Sequence, residues 1–160
     1  MEMNENIPEA IIISIALVLI TTAIFYEILC IVLKVVAKRN LRTRPLMFFL
    51  VVAIFSAHTI AVWIYGFVYW ELVHSFGFEP LSGIAHDNFF GYIYFSAATY
   101  SSLGIGDVFP HGAMQFITGV QVLNGLMLIG WSVMFTYFAV QKLWDIHVIK
   151  ALDSDAIKEL

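Results

Sequence analysis

The chain has 160 residues, 61% hydrophobic and only 12% charged, with a mean hydropathy of +0.86 and a formal net charge of −4. Soluble domains are about half apolar, so this composition excludes an ordinary water-soluble globule and places the chain in a bilayer. The single cysteine, Cys30, excludes an intrachain disulfide, and no basic stripe interleaved with aromatics offers a surface to nucleic acid.

Residues 11–36 form the first apolar run, interrupted only by Glu27 and Lys34, and are long enough to cross roughly 30 Å of hydrocarbon as a tilted helix. The leader before it carries Glu2, Glu5 and Glu9 with no Lys or Arg, unlike the basic start of a cleaved signal peptide. Cys30 falls within this span and reads as a small core residue. The first connection crowds Lys34, Lys38, Arg39, Arg42 and Arg44, so the positive-inside bias predicts a cytoplasmic loop and an N-terminus outside.

Residues 46–73 predict a second span, and 71–88 an outer turret. In the turret, His74 and His86 with Glu79 and Asp87 are either a metal or proton site or simply solvated loop histidines. Residues 89–100 are apolar but too few to span, which predicts a re-entrant helix. Residues 113–140 predict the third span, with Lys142 and Lys150 behind it on the cytoplasmic side and Trp70 and Trp144 as interfacial anchors. Leu143, Ile146, Ile149 and Leu152 can continue that helix as a short apolar seam. No Arg-rich span supplies a voltage sensor, and the tail is too short for a regulatory domain.

Between the re-entrant helix and the third span lies Thr99-Tyr100-Ser101-Ser102-Leu103-Gly104-Ile105-Gly106-Asp107. Alternating glycines closed by a carboxylate are what a backbone-lined ion filter needs. Successive carbonyls must face one axis, and glycine reaches the positive φ that this requires. Ser102 can add a hydroxyl at the inner mouth, while Asp107 places a negative charge at the outer mouth and favours cations. A dinucleotide loop is excluded because Phe109 stands where G-x-G-x-x-G needs its third glycine.

On these residues the chain resembles the potassium-channel pore family, including the pore loops of two-pore-domain channels and prokaryotic single-pore relatives. The family filter Thr-Val-Gly-Tyr-Gly-Asp reads Ser102-Leu103-Gly104-Ile105-Gly106-Asp107 here. Ile105 replaces the family tyrosine, and with it the hydrogen bond to the supporting helix. Thr99 matches the family threonine, Tyr100 departs from its small residue, and Tyr94 and Phe95 fall at the aromatic pair that would form a cuff around the filter. The resemblance covers residues 46–142 and implies a homotetramer, since a ring of carbonyls needs four loops. It leaves 1–45 as a helix packed peripherally on the outer helix, and 143–160 as a cytoplasmic tail. Gly125 lies at the family's hinge glycine.

Gln121, Asn124, Leu128, Ser132 and Thr136 recur at helical spacing and predict one face, lining either a cavity or a hydrogen-bonded helix contact. Gly130 marks either a constriction or close helix packing. Glu27 is costly in hydrocarbon and needs a partner, for which His58 at matched depth is the candidate, as a titratable gate or a structural clasp.

The expectation is therefore an all-α membrane protein of three transmembrane helices, a re-entrant pore helix and a filter loop, assembled as a tetramer. It is expected to conduct K⁺ passively through Ser102, Leu103, Gly104, Ile105 and Gly106. A weakly selective monovalent cation channel and a nonconducting scaffold or regulatory subunit are the alternatives. Copies of itself, lipids and monovalent cations are its expected partners, with no cofactor beyond permeant K⁺, in a prokaryotic cell membrane. An enzyme is not expected, because no nucleophile–base pair or metal-ligand spacing occurs apart from Glu27 with His58.

Overall fold

The computed structural model describes residues 6–38, 43–83 and 88–158, with the side chains of 36–38, 43–44 and 142–158 outside the described set. Glu2, Glu5, Arg39, Arg42, His86 and Asp87 lie outside the described residues, as do the side chains of Lys38, Arg44, Lys142, Leu143, Trp144, Ile146, Ile149, Lys150 and Leu152.

The elements in chain order are α1 (Ile7–Lys38), α2 (Thr43–Phe76), β1 (Ser82–Gly83), α3 (Phe89–Tyr100), β2 (Val108–Phe109) and α4 (Met114–Lys158). Ile7–Val35, Pro45–Phe76 and Met114–Gln141 are long and apolar enough to cross a membrane and match the three expected spans. Pro8 and Pro45 sit in the first turns of α1 and α2, where a missing N–H forfeits no helical bond. α3 begins at Asn88, whose extended backbone (φ −120°, ψ 124°) lets its side chain accept from the N–H of Phe90 at 3.0 Å. Composition does not announce β1 and β2: they pair antiparallel, Ser82 with Phe109 and Gly83 with Val108, and tie the segment after α2 to the chain returning from α3.

One stripe on each long helix makes the core. On α1 it is Ala10, Ser14, Leu17, Thr21, Phe25, Leu29 and Val32, at spacings of three and four. Ser14 and Thr21 stay satisfied there by returning their hydroxyls to the carbonyls of Ala10 and Leu17, both at 2.7 Å. This stripe faces α4 as well as α2, so α1 is a third wall of the helical bundle and not a peripheral attachment to the outer helix alone. On α4 the buried stripe is Met114, Ile117, Gln121, Asn124, Leu128 and Ser132.

α3 is held between α2 and α4 at distances that only glycine allows. A Cβ on Gly66 of α2 would meet Ile93 Cδ1 at 2.6 Å, and one on Gly125 of α4 would run into the carbonyl oxygen of Tyr100. The Tyr100 contact fixes the C-terminal end of α3 against α4. Gly125→Ala must push these two apart and should cost about 1–3 kcal/mol, as overpacking does. Gly130→Ala adds its methyl to open space within the subunit and should carry no such cost. Thermal unfolding of the detergent-solubilised variants checks this; equal melting would contradict it.

Candidate functional site

The segment joining α3 to β2 is built to expose its backbone. Ser101 to Gly106 are all exposed, while Ser101 at the helix C-cap returns its N–H to Ala97 at 3.1 Å. The N–H groups of Leu103 and Gly104 both point back to the carbonyl of Ala98, at 2.9 and 3.3 Å. These bonds pin the start of the loop on the last turn of α3. Beyond it, φ is positive at Ser102 (59°), Gly104 (51°) and Gly106 (84°), and negative at Leu103 and Ile105 between them. In a strand, carbonyls alternate sides; alternating the sign of φ at every second residue turns successive carbonyls the same way. Glycine adopts the left-handed region without strain, whereas Ser102 reaches it at a cost of roughly 1–2 kcal/mol. Such a backbone can present a row of oxygens to one side.

The far end of the loop has its own tie. Tyr94 donates its hydroxyl to Asp107 Oδ2 at 2.8 Å. That bond to a carboxylate raises the pKa of the Tyr94 phenol, because ionising it would lose the donor and set two anions side by side. Ile105 makes no side-chain hydrogen bond, so the tie falls on Asp107, two residues further along. Phe95, the other half of the expected aromatic pair, is buried and meets the Tyr69 ring edge-on at 5.4 Å. It is a core residue.

The structure corrects the cavity assignment. Gln121 is fully buried: it accepts from Tyr69 Oη at 2.6 Å and donates to Ser96 Oγ at 2.8 Å. Asn124 donates to Thr21 Oγ1 at 2.8 Å and Tyr65 Oη at 3.2 Å. Leu128 and Ser132 are buried as well, and Ser132 donates to the carbonyl of Ile129 at 2.7 Å. Side chains already enclosed within one chain cannot line a space between chains, so the stripe is the hydrogen-bonded helix contact. The exposed face of α4 is apolar, carrying Leu123, Leu126, Met127, Val133, Met134 and Tyr137. Gly125 is held against Tyr100, and Gly130 faces open space.

The pairing of Glu27 with His58 is corrected too. Glu27 is exposed, and both ring nitrogens of His58 are used elsewhere, on Tyr100 Oη at 2.7 Å and Ser132 Oγ at 3.2 Å. α1 reaches that ring through Phe25 instead, at 5.1 Å between centroids. His74 stacks on Trp70 at 4.8 Å, and among the described residues no group of three or more His, Cys, Asp and Glu could hold a metal ion. Cys30 is half-buried on α1.

The sequence alone does not disclose the partners of the polar stripe: Thr21, Tyr65, Tyr69 and Ser96. One signal points to them, since Tyr65 and Tyr69 lie four residues apart on α2, each with a hydroxyl needing a partner. Because Asn124 acts as a donor inside the subunit, Asn124→Asp turns donors into acceptors against Thr21 and Tyr65. It should destabilise the subunit by about 1–3 kcal/mol or more, as a buried unsatisfied group does. Melting in detergent checks this; an unchanged melting temperature would return Asn124 to a wet surface.

No curated protein and no solved structure matches the chain. A family model described as an ion channel matches residues 57–141, which takes in most of α2, all of α3, the exposed loop and α4 as far as Gln141. The matched segment covers more than half of the chain and contains the loop with its alternating backbone, between helices suited to a bilayer. The chain therefore belongs to an ion-channel family, and is a membrane channel protein and not an enzyme.

Proposed function

We propose that the chain is the subunit of a homotetrameric channel conducting K⁺ in preference to Na⁺ through the backbone of Ser102, Leu103, Gly104, Ile105 and Gly106. The observation that carries this reading is the positive φ at every second residue, Ser102, Gly104 and Gly106, in an exposed loop of an ion-channel family member. A single row of carbonyls cannot replace an ion's hydration shell, whereas four rows about one axis can. Asp107 sets four negative charges at one mouth. α3, ending at Tyr100 beside the loop, contributes the negative end of its dipole at the other. The acidic leader and basic first loop support an orientation with the N-terminus outside and Asp107 facing outward.

A second reading, a weakly selective monovalent cation channel, is favoured by Ile105, which cannot make the bond of the family tyrosine. Flux separates the two. In liposomes containing the purified protein, K⁺ should move faster than Na⁺, and Gly104→Ala or Gly106→Ala should abolish the flux, because a Cβ resists positive φ and turns a carbonyl off the axis. Equal movement of both ions would leave the weakly selective channel. Flux of neither would leave a nonconducting subunit, and wild-type flux in both glycine variants would remove the loop from the ion path.

A further inference from the structure

Tyr100, the last residue of α3, is two positions ahead of Ser102, where the left-handed backbone begins. Its main chain and side chain are fixed separately. The carbonyl rests on Gly125 of α4, and the buried phenol reaches His58 of α2. The His58 ring continues to Ser132 of α4.

The direction of these bonds follows from counting donors. Ser132 gives its only hydrogen to the carbonyl of Ile129, so toward His58 it must accept. His58 therefore carries its proton on Nε2. The neutral ring then offers Nδ1 as an acceptor, and Tyr100 donates to it. A single chain of hydrogen bonds thus runs Tyr100 to His58 to Ser132 to the backbone of α4, every hydrogen used, with Phe25 of α1 covering the ring. No carboxylate among the described residues takes part.

We infer that His58 is a positioning residue for ion selection: through Tyr100 it sets where the row of carbonyls begins, and it joins that row to both α2 and α4. The inference deepens the reading of residues 102–106 as the filter and rests on it. Ile105 provides no side-chain tie of its own, so beside the backbone bonds to Ala98 the side-chain ties come at the two ends of the loop, Tyr94 on Asp107 and His58 through Tyr100. A displacement of α4 against α2 strains the His58 bonds along with those of Tyr69 to Gln121 and Tyr65 to Asn124, and through Tyr100 it is felt within two residues of Ser102. Ion selection depends on the number and placement of oxygens around each site, so loosening Tyr100 degrades discrimination between K⁺ and Na⁺ before it stops conduction.

The test is the K⁺ to Na⁺ flux ratio in liposomes for wild type, Tyr100→Phe, His58→Phe, His58→Gln and Gly104→Ala. Tyr100→Phe removes one hydroxyl and keeps the ring; together with His58→Phe it should lower the ratio by about threefold or more, the effect of one lost hydrogen bond. His58→Gln can accept with Oε1 and donate with Nε2, and should hold the ratio within about twofold of wild type. A role in stability alone would not separate Gln from Phe in selectivity. Wild-type ratios in Tyr100→Phe and His58→Phe, or an equal loss in His58→Gln, overturn the inference. Should His58→Phe fail to assemble, Ser132→Ala, which removes only the accepting hydroxyl, takes its place: a lowered ratio supports the inference and a wild-type ratio overturns it. Undiminished flux in Gly104→Ala would instead remove the filter reading itself.

Discussion

Hydrocarbon offers no water to a polar side chain, so one enclosed among membrane-spanning helices has only protein to bond to. That constraint organises this subunit. α4 carries Gln121, Asn124 and Ser132 on one stripe, and α2 meets all three, through Tyr69, Tyr65 and His58, with α3 adding Ser96 to Gln121 and α1 adding Thr21 to Asn124. Apolar packing alone discriminates poorly between helix arrangements in lipid, because lipid tails are as apolar as leucine. The polar pairs supply the discrimination and fix the rotation of α4 about its own axis.

That rotation has consequences at both faces of α4. Inward, it brings Gly125 against the carbonyl of Tyr100, so the end of α3 and the loop after it take their position from the same helix that carries the polar stripe. Outward, it leaves an apolar surface in which Leu123, Met127 and Met134 are exposed in the single subunit. In the proposed tetramer, any part of this surface that faces the axis would be water-repelling, and ions would meet polar groups chiefly at the loop. Discrimination would then rest on the backbone of residues 102–106 and on the contacts that hold it.

Elements are legible in the sequence, whereas rotations about their axes are not. Hydropathy runs place all three spans within a few residues, and Asn88 with a twelve-residue apolar run places α3. Gly104 and Gly106 are legible because a backbone requirement leaves a mark that packing cannot imitate; Ser102 in the left-handed region is not, since serine carries no such mark. The stripe Gln121, Asn124, Ser132 is visible as a shared face, but periodicity shows only that residues share a face, never which way that face points. The pairing of Glu27 with His58 fails for the same reason. Equal depth is necessary for contact, yet Glu27 stands about 200° around α1 from Phe25, the residue that does touch the His58 ring. Gly125 is readable as a hinge candidate, but nothing in the sequence marks the carbonyl of Tyr100 that excludes a side chain there. The β1–β2 ladder, two residues on each side, is too short to leave a periodic signal.

The backbone filter is tested most directly by the structure of the assembled protein, determined with Rb⁺ or Tl⁺ in place of K⁺ so that the ions are visible against the protein. Four chains should surround one axis, with a column of ion density along it ringed by the carbonyls of Ser102 to Gly106, and with Gln121 and Asn124 still enclosed within each subunit. A loop turned away from the axis, or ion density coordinated by side chains of α4 and none at residues 102–106, would contradict a filter built from this backbone.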